Sequence, residues 1–419
     1  MNEIRQINNL NASVAVPGSK SYTQRALVIA SLAGGKSFLR NALLSEDTKY
    51  LINALRSLGA GILMAKDDII LTGTDGRIED PGKTIHLGNN GTALRFLTTL
   101  VSLGSGHVTL DGSSRLRERP VKPLLDALET LGVVSQCVNG YPPVTMQGGG
   151  LRGGRVIFTD AESSQYISSV LISAPYSQRD VEIELRGMTF SMPYIDMTID
   201  VMRHFGVEVE KRGQNEFKVN AQQGYTGRKY LIEGDVSSAA YFFVAAALAG
   251  GKIKVVNINP ETRQGDIAFL RIIESLGCHV SRGEDFVEVT GKGLSRGDYE
   301  FDMSDMPDMV PSLAILAAFR EGVTVIKNVS HLRLKESNRL EALVNELNRT
   351  GIDAEESADG LIIRGGVPHG AEIETYNDHR IAMSFAVAGL VVPGIKIKDK
   401  KCVKKSFPSF WDEFKKLYI

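Results

Sequence analysis

The chain repeats one outline six times, at intervals of about 72 residues. Each copy has a polar start rich in Gly, Ser or Asp, an apolar run of helical length, a Gly turn and a β-branched run. The polar starts lie in PGSKSYTQRALVIASLAGG, GNNGTALRFLTTLVSLGSG, AESSQYISSVLISAP, GDVSSAAYFFVAAALAGG, DMPDMVPSLAILAAF and NDHRIAMSFAVAGLVVPG. Aligned on Ser21, Thr92, Ser164, Ser237, Asp308 and Arg380, the steps are 71, 72, 73, 71 and 72 residues. A second series ends at Gly59, Gly132, Gly206, Gly277 and Gly351, with steps of 73, 74, 71 and 74. Internal periods of about 20–50 residues mark solenoids, so this longer period predicts a small α/β unit used six times.

Each unit is expected to hold two helices, the first over 23–33 and the second over 48–58 in the opening copy. Both end at Gly, which accepts the left-handed backbone of a helix stop. The runs ILMAKDDIILTG, GVEVEKRGQNEFKVN and CHVSRGEDFVEVTG alternate and are split by charged or Gly turns, as hairpins do. NGYPPVTMQGGGLRGGR reads as a Gly-rich loop. Six units can form two groups of three, 14–228 on one side and 1–13 with 229–419 on the other. The chain would then cross between groups near 14–18 and 225–231.

At 43% hydrophobic and 23% charged residues, the composition is that of an ordinary globular protein. A net charge of −1 with interspersed signs argues against a nucleic-acid or membrane-surface partner. No apolar run approaches a membrane span, and MNEIRQINNL lacks a signal-peptide pattern. Cys137, Cys278 and Cys402 are far apart, which suits thiols in a reducing cytoplasm. The seven histidines show no metal-ligand spacing, so no metal is expected.

Two motifs mimic chemistry. Gly34-Gly35-Lys36-Ser37 resembles the end of a P-loop, but position 30 is Ala and the segment follows a helix instead of opening one. Gly148 to Gly153 fits G-x-G-x-x-G but leads into Val156-Ile157-Phe158, a strand pattern.

The polar helix starts are the candidate site. A helix N-terminus offers free N–H groups and partial positive charge. Capping alone explains Ser, Thr and Asp there, but not the cations beside them. Lys20 and Arg25 flank Ser21, Arg95 follows Thr92, and Arg380 follows Asp378-His379. Lys335, Glu336 and Arg339 open KESNRLEALVNELN, and Arg115, Arg117 and Arg119 precede a helix expected to open at Pro120. Ser163, Ser164 and Gln165 offer neutral hydrogen bonds to phosphate. Such a set suits a ligand with phosphates and carboxylates. Asp308, in Met-Pro-Asp-Met-Val-Pro, is either an N-cap or a general base.

PGSKSYTQRA at 17–26, LGNNGTALR at 87–95, RERP at 117–120, KESNRL at 335–340 and NDHRIAM at 377–383 together resemble the 5-enolpyruvylshikimate-3-phosphate synthase family over the whole chain. The resemblance implies two lobes of three βαβαββ units each, forming a two-lobed inside-out α/β barrel with the active site in the cleft. It implies transfer of the carboxyvinyl group of phosphoenolpyruvate to the 5-hydroxyl of shikimate 3-phosphate, with no cofactor. Lys20, Ser21, Arg25, Ser163, Ser164, Gln165, Ser191, Tyr194, Asp308, His331 and Lys335 would contact shikimate 3-phosphate. Lys20, Gly91, Arg119, Gln165, Arg339, Arg380 and Lys405 would hold phosphoenolpyruvate. Asp308 would accept the hydroxyl proton, Glu336 would handle the methylene proton, and Lys335 would assist. The partners would be these two small molecules, acting on a cytoplasmic monomer.

Asn90 and Phe96 stand where the family often has Ala and Pro, and His331 where it often has Asn. The alternatives are the sister UDP-N-acetylglucosamine enolpyruvyl transferase and a non-catalytic anion-binding protein. The sister enzyme typically has Lys-Asn where this chain has Lys20-Ser21, and a loop Cys where it has Arg119. Intact Asp308, Lys335 and Glu336 oppose the second.

Overall fold

Each of the first five repeats folds as strand, helix, strand, helix and hairpin, and the sixth ends after its second helix. In the computed structural model, residues 2–7, 10–66, 68–188 and 190–418 are described. The first helices of the six repeats are α1 (Lys20–Leu32), α3 (Gly91–Val101), α5 (Ser164–Ser173), α7 (Val236–Ala249), α9 (Val310–Ala318) and α11 (His379–Ala388). The second helices are α2 (Glu46–Ser57), α4 (Lys122–Thr130), α6 (Pro193–His204), α8 (Phe269–Ser275), α10 (Arg339–Arg349) and α12 (Phe410–Lys415). The inner starts thus fall within two residues of the aligned positions.

The two helix sets differ because their sequences do. α7 is apolar on all sides and buries every residue from Val236 to Ala247, so it can only lie inside a core. α10 buries Leu340, Leu343 and Leu347 at helical spacing and turns Glu341 and Asn348 outward. All five glycines of the second series have left-handed φ, from 83° at Gly132 to 101° at Gly59 and Gly277, as helix-stopping residues do.

The chain divides into two compact units, Gly18–Ile232 and Met1–Pro17 with Glu233–Ile419. Each has its own apolar core. In the first, α1, α3 and α5 are enclosed by three four-stranded sheets. In the second, α7, α9 and α11 pack on one another inside two four-stranded sheets and one three-stranded sheet. In that three-stranded sheet Asn2–Glu3 pairs antiparallel with Lys396–Ile397, so the N-terminal strand takes the place of a hairpin in the sixth repeat.

The first and fourth repeats exchange their opening strands. Leu10–Ala15 runs parallel to Gly251–Val256, and Lys229–Leu231 runs parallel to residues 38–40. The units therefore divide after Pro17 and Ile232, a few residues beyond the expected 13 and 228.

The expected hairpins form, including Val209–Arg212 with Glu216–Val219 and His279–Arg282 with Phe286–Gly291. NGYPPVTMQGGG is not wholly a loop. Tyr141–Gln147 is a central strand, paired with His107–Asp111 and Ser135–Val138. Its alternating burial was hidden by the two prolines and the glycines after it. The P-loop lookalike ends a helix and opens strand Lys36–Arg40.

Hairpins return close to the inner helices. A Cβ at Gly365 would lie 1.8 Å from the Arg320 carbonyl oxygen and 2.5 Å from that of Ala317. Both obstacles are backbone. Gly365→Ala is expected to destabilise the protein by about 2 kcal/mol or more, read as a lower urea midpoint. An unchanged midpoint would contradict this packing.

Candidate active site

In the unit Gly18–Ile232, the inner helix starts are built by side-chain caps. Ser19, not Ser21, caps α1 by accepting from the Tyr22 N–H. Asn90 caps α3 by accepting from Ala93 N at 2.9 Å, and donates to the Asp47 carbonyl at 2.8 Å. Ser163 caps α5. Asn90 thus secures the start of α3, and Phe96 sits inside a regular helix, 1% exposed.

Lys20 is the first residue of α1, with Nζ 3.5 Å from Asp47 Oδ2. Arg25, one turn on, is 1% exposed. It donates to Thr198 Oγ1 at 2.7 Å, to the Ser21 carbonyl at 3.1 Å and to the Tyr194 carbonyl at 3.0 Å. Its guanidinium lies over the rings of Phe96 and Tyr194, at 5.4 and 5.7 Å. Burial lowers its pKa to about 10, an effect Tyr194 and Tyr22 partly oppose. Ser191, just before α6, holds a left-handed φ of 63°, which is uncommon for a non-glycine residue.

Gly91 and Arg119 come together at the start of α3. A Cβ on Gly91 would lie 2.4 Å from Arg119 Cζ, so the bare glycine makes room for a buried guanidinium. Arg119 is in turn set by its loop, where Arg117 grips Asp111. Pro120 does not open the helix after it; α4 begins at Lys122, with Pro123 in its first turn.

Gln165 is held from both sides. Its Nε2 donates to Thr92 Oγ1 at 3.0 Å and its Oε1 accepts from Arg95 Nη1 at 3.2 Å. Arg95 also donates to the Gly91 and Pro120 carbonyls and lies over Tyr166 at 5.5 Å. Ser164 is buried as the first residue of α5. The α1 and α5 groups are joined by Thr198, which donates to Ser168 Oγ at 2.8 Å. Arg25 and Arg95 are both buried cations with no carboxylate partner among the described residues. Such a charge calls for an anion to offset its desolvation.

The other unit holds the carboxylates. Asp308 lies in the single-turn helix Pro307–Met309 and makes no side-chain cap to it or to α9. Its Oδ1 accepts from Arg339 Nη1 at 2.9 Å and its Oδ2 from Arg380 Nη2 at 2.6 Å. The N-cap reading of Asp308 is thereby excluded. Arg339, 1% exposed, also donates to Asp378 at 2.8 Å and Glu336 at 2.7 Å. Burial would lower its pKa, but Asp378, Glu336 and Asp308 outweigh burial and raise it. Asp378 in turn caps α11 through the Arg380 N–H at 2.9 Å.

Lys335 and Glu336 precede α10 instead of opening it, because Asn338 is its cap. Lys335 ends the short turn Ser330–Leu334, which carries His331. Lys405 is buried in the turn Lys400–Lys405, packed against α11. Asp47, Thr198 and Asp378 take part without having been singled out as ligand-binding. Asp47 was hidden within the capping box Ser45–Thr48, and Thr198 within an amphipathic helix.

The fold is an inside-out α/β barrel, with capped helix starts beside buried cations in one unit and a carboxylate clamped by arginines in the other. The sequence matches the family described as EPSP synthase (3-phosphoshikimate 1-carboxyvinyltransferase) over residues 4–414. It is 44% identical to the 3-phosphoshikimate 1-carboxyvinyltransferase of Syntrophobacter fumaroxidans, over 99% of each chain. It is 43% identical to that of Nostoc punctiforme, over 98% of each. The structure of EPSP synthase from Acinetobacter baumannii matches with a TM-score of 0.81 and 26% identity, over 99% of this chain and 97% of that one. This chain belongs to the EPSP synthase family.

His331 is 4% exposed, and burial, with Lys335 and Arg339 nearby, lowers its pKa to about 2; Asp308 opposes only in part. The imidazole is therefore neutral at working pH. In the unfolded chain it gains a proton below about pH 6.5, so its burial destabilises the fold as pH falls through that value. The loss near pH 5 is about 2 kcal/mol. His331→Asn is expected to gain stability over the wild type between pH 7.5 and pH 5, read as the difference in thermal midpoints. A difference that stays constant would contradict the neutral imidazole.

Proposed function

We propose that the chain is a 3-phosphoshikimate 1-carboxyvinyltransferase. It transfers the enolpyruvyl group of phosphoenolpyruvate to the 5-hydroxyl of shikimate 3-phosphate and releases phosphate. The observation that carries this reading is full-length similarity to relatives of that name, with 99% of both chains covered.

The site supports it chemically. Arg25, Lys20 and Ser21 on α1, with Ser163, Ser164 and Gln165 on α5 and Ser191 and Tyr194 near α6, take shikimate 3-phosphate. Its phosphate offsets the buried charge of Arg25. Arg119 beside Gly91, at the start of α3, takes phosphoenolpyruvate, where helix dipole and guanidinium act together. In the other unit, Arg339, Arg380 and Lys405 are the groups assigned to phosphoenolpyruvate, and His331 and Lys335 those assigned to the acceptor.

The reaction begins when the methylene carbon of phosphoenolpyruvate gains a proton from the Glu336 carboxyl. Positive charge then develops at C2, and the 5-hydroxyl oxygen bonds to that carbon as Asp308 takes its proton. The resulting tetrahedral intermediate loses phosphate as the C–O bond breaks, and Glu336 removes a proton from the new methyl group. Lys335 assists these transfers, and the arginines hold the leaving phosphate.

The clamp on Asp308 suggests how binding primes it. Arg339 and Arg380 occupy both its oxygens. A carboxylate or phosphate arriving at those guanidinium groups competes for the same N–H bonds and returns acceptor capacity to Asp308.

Among the described residues, no helix is long and apolar enough to cross a membrane. We take the enzyme to act in the cytoplasm as a monomer on two small molecules, without nucleic acid, metal or cofactor.

Carbon-labelled phosphoenolpyruvate incubated with shikimate 3-phosphate is expected to give an enol ether at the 5-oxygen, seen by NMR. Label remaining in phosphoenolpyruvate or appearing only as pyruvate would overturn the reading. Asp308→Asn is expected to lower kcat about a thousandfold while shikimate 3-phosphate still binds. Near-normal turnover would remove Asp308 from the mechanism.

A further inference from the structure

Asp266 is a buried carboxyl group that the scheme above does not use. It lies in the single-turn helix Gly265–Ala268, just before α8, and is 3% exposed. Its Oδ2 accepts a short hydrogen bond from Ser237 Oγ. Its Oδ1 is buried and has no hydrogen-bond partner among the described residues. The surrounding loop is fixed to the start of α7. Gln264 accepts from the Val236 N–H at 3.2 Å and donates to the Gly234 carbonyl at 2.8 Å.

Ser237 occupies a recurrent place. It is the second residue after Asp235, the cap of α7. The residues two beyond the caps of α1, α3, α5 and α11 are Ser21, Thr92, Gln165 and Arg380. Ser21, Gln165 and Arg380 are assigned to ligands above, and Thr92 holds Gln165. In the fourth repeat this place is taken by a hydroxyl bonded to a buried carboxyl.

Charged and hydrogen-bonding groups act on Asp266 from three elements. Asp235 and Ser237 come from α7, Asp308 from the turn before α9, and Arg380 from α11. Tyr241 of α7 accepts from Arg380 at 3.4 Å. Two ionised carboxylates here would repel one another, and Asp266 would lie in a site with no donor for its second oxygen among the described residues. Burial first, then Asp308, pushes the Asp266 carboxyl up to about 7, with Ser237 and Arg380 opposing.

We propose that Asp266 is a positioning residue for Asp308: a neutral carboxyl, fixed at the start of α7 by Ser237, that leaves Asp308 as the single negative charge of the pair facing Arg380. The proposal rests on Asp308 being the proton acceptor. Below about pH 7 Arg380 is then available to Asp308 and to an incoming anion. Above it, a second carboxylate forms beside Arg380 and opposes that anion.

The same protonation affects folding. In the unfolded chain the carboxyl ionises near its ordinary value of about 4. In the folded chain it ionises near 7. Stability therefore falls as pH rises between those values and is flat above them.

The test compares wild type, Asp266→Asn and Asp266→Ala in two ways. In thermal unfolding, Asp266→Asn is expected to gain on the wild type from pH 5 to pH 8, since asparagine never ionises. In steady-state turnover, the ratio of wild type to Asp266→Asn in kcat/KM for phosphoenolpyruvate is expected to fall as pH rises through 7. Below pH 7 the asparagine variant is expected to keep kcat within about threefold, and the alanine variant to lose about tenfold as Ser237 is released.

Parallel pH profiles with no differential midpoint would overturn the neutral carboxyl. An asparagine variant as inactive as Asp308→Asn at every pH would overturn the positioning role and make Asp266 the essential ionised group. The midpoints need no catalysis, so they judge Asp266 separately. A midpoint shift together with an active Asp308→Asn enzyme would locate the failure in the assignment of Asp308, and the positioning role would fall with it.

Discussion

Arg339 is the interaction on which one half of the chemistry depends. It is 1% exposed and satisfies three carboxylates, Asp308, Glu336 and Asp378. A guanidinium so deep in the protein is tolerable only because those charges surround it. Each carboxylate also belongs to a different element: the turn before α9, the segment before α10, and the cap of α11. One side chain therefore sets the mutual placement of the assigned base, the assigned methylene-proton group and the helix start that carries Arg380.

The two units solve the charge problem in opposite ways. In residues 18–232, Arg25 and Arg95 are buried on aromatic rings and backbone carbonyls, with no carboxylate partner among the described residues. Under the proposed function, the phosphate of shikimate 3-phosphate supplies the counter-charge in that unit. In the other, Arg339 and Arg380 already hold acids, so an incoming anion must compete with Asp308 for them. In the proposed function, the first arrangement serves capture of a phosphate, and the second couples anion binding to the state of the assigned base.

Much of this was legible in the sequence because it is periodic. The Gly stops, the apolar inner helices and the polar starts recur every 72 residues or so, and the structure puts the inner helices where that period placed them. Other features were not legible, for reasons that can be named. Capping by Ser19 and Asn90 instead of their neighbours depends on local backbone angles. Tyr141–Gln147 was masked as a strand by its prolines. The pairing of Arg95 with Gln165, 70 residues away, and of Ser237 with Asp266, 29 away, needs tertiary structure. The close approach of Arg119 to Gly91, two of the expected phosphoenolpyruvate contacts, likewise needs tertiary structure.

The most direct test of the account is phosphate release from phosphoenolpyruvate with each acceptor supplied alone. The account predicts release with shikimate 3-phosphate and none with UDP-N-acetylglucosamine. Release only with the nucleotide sugar would keep the fold and contradict the substrate, and binding without release from either would contradict the catalytic assignment.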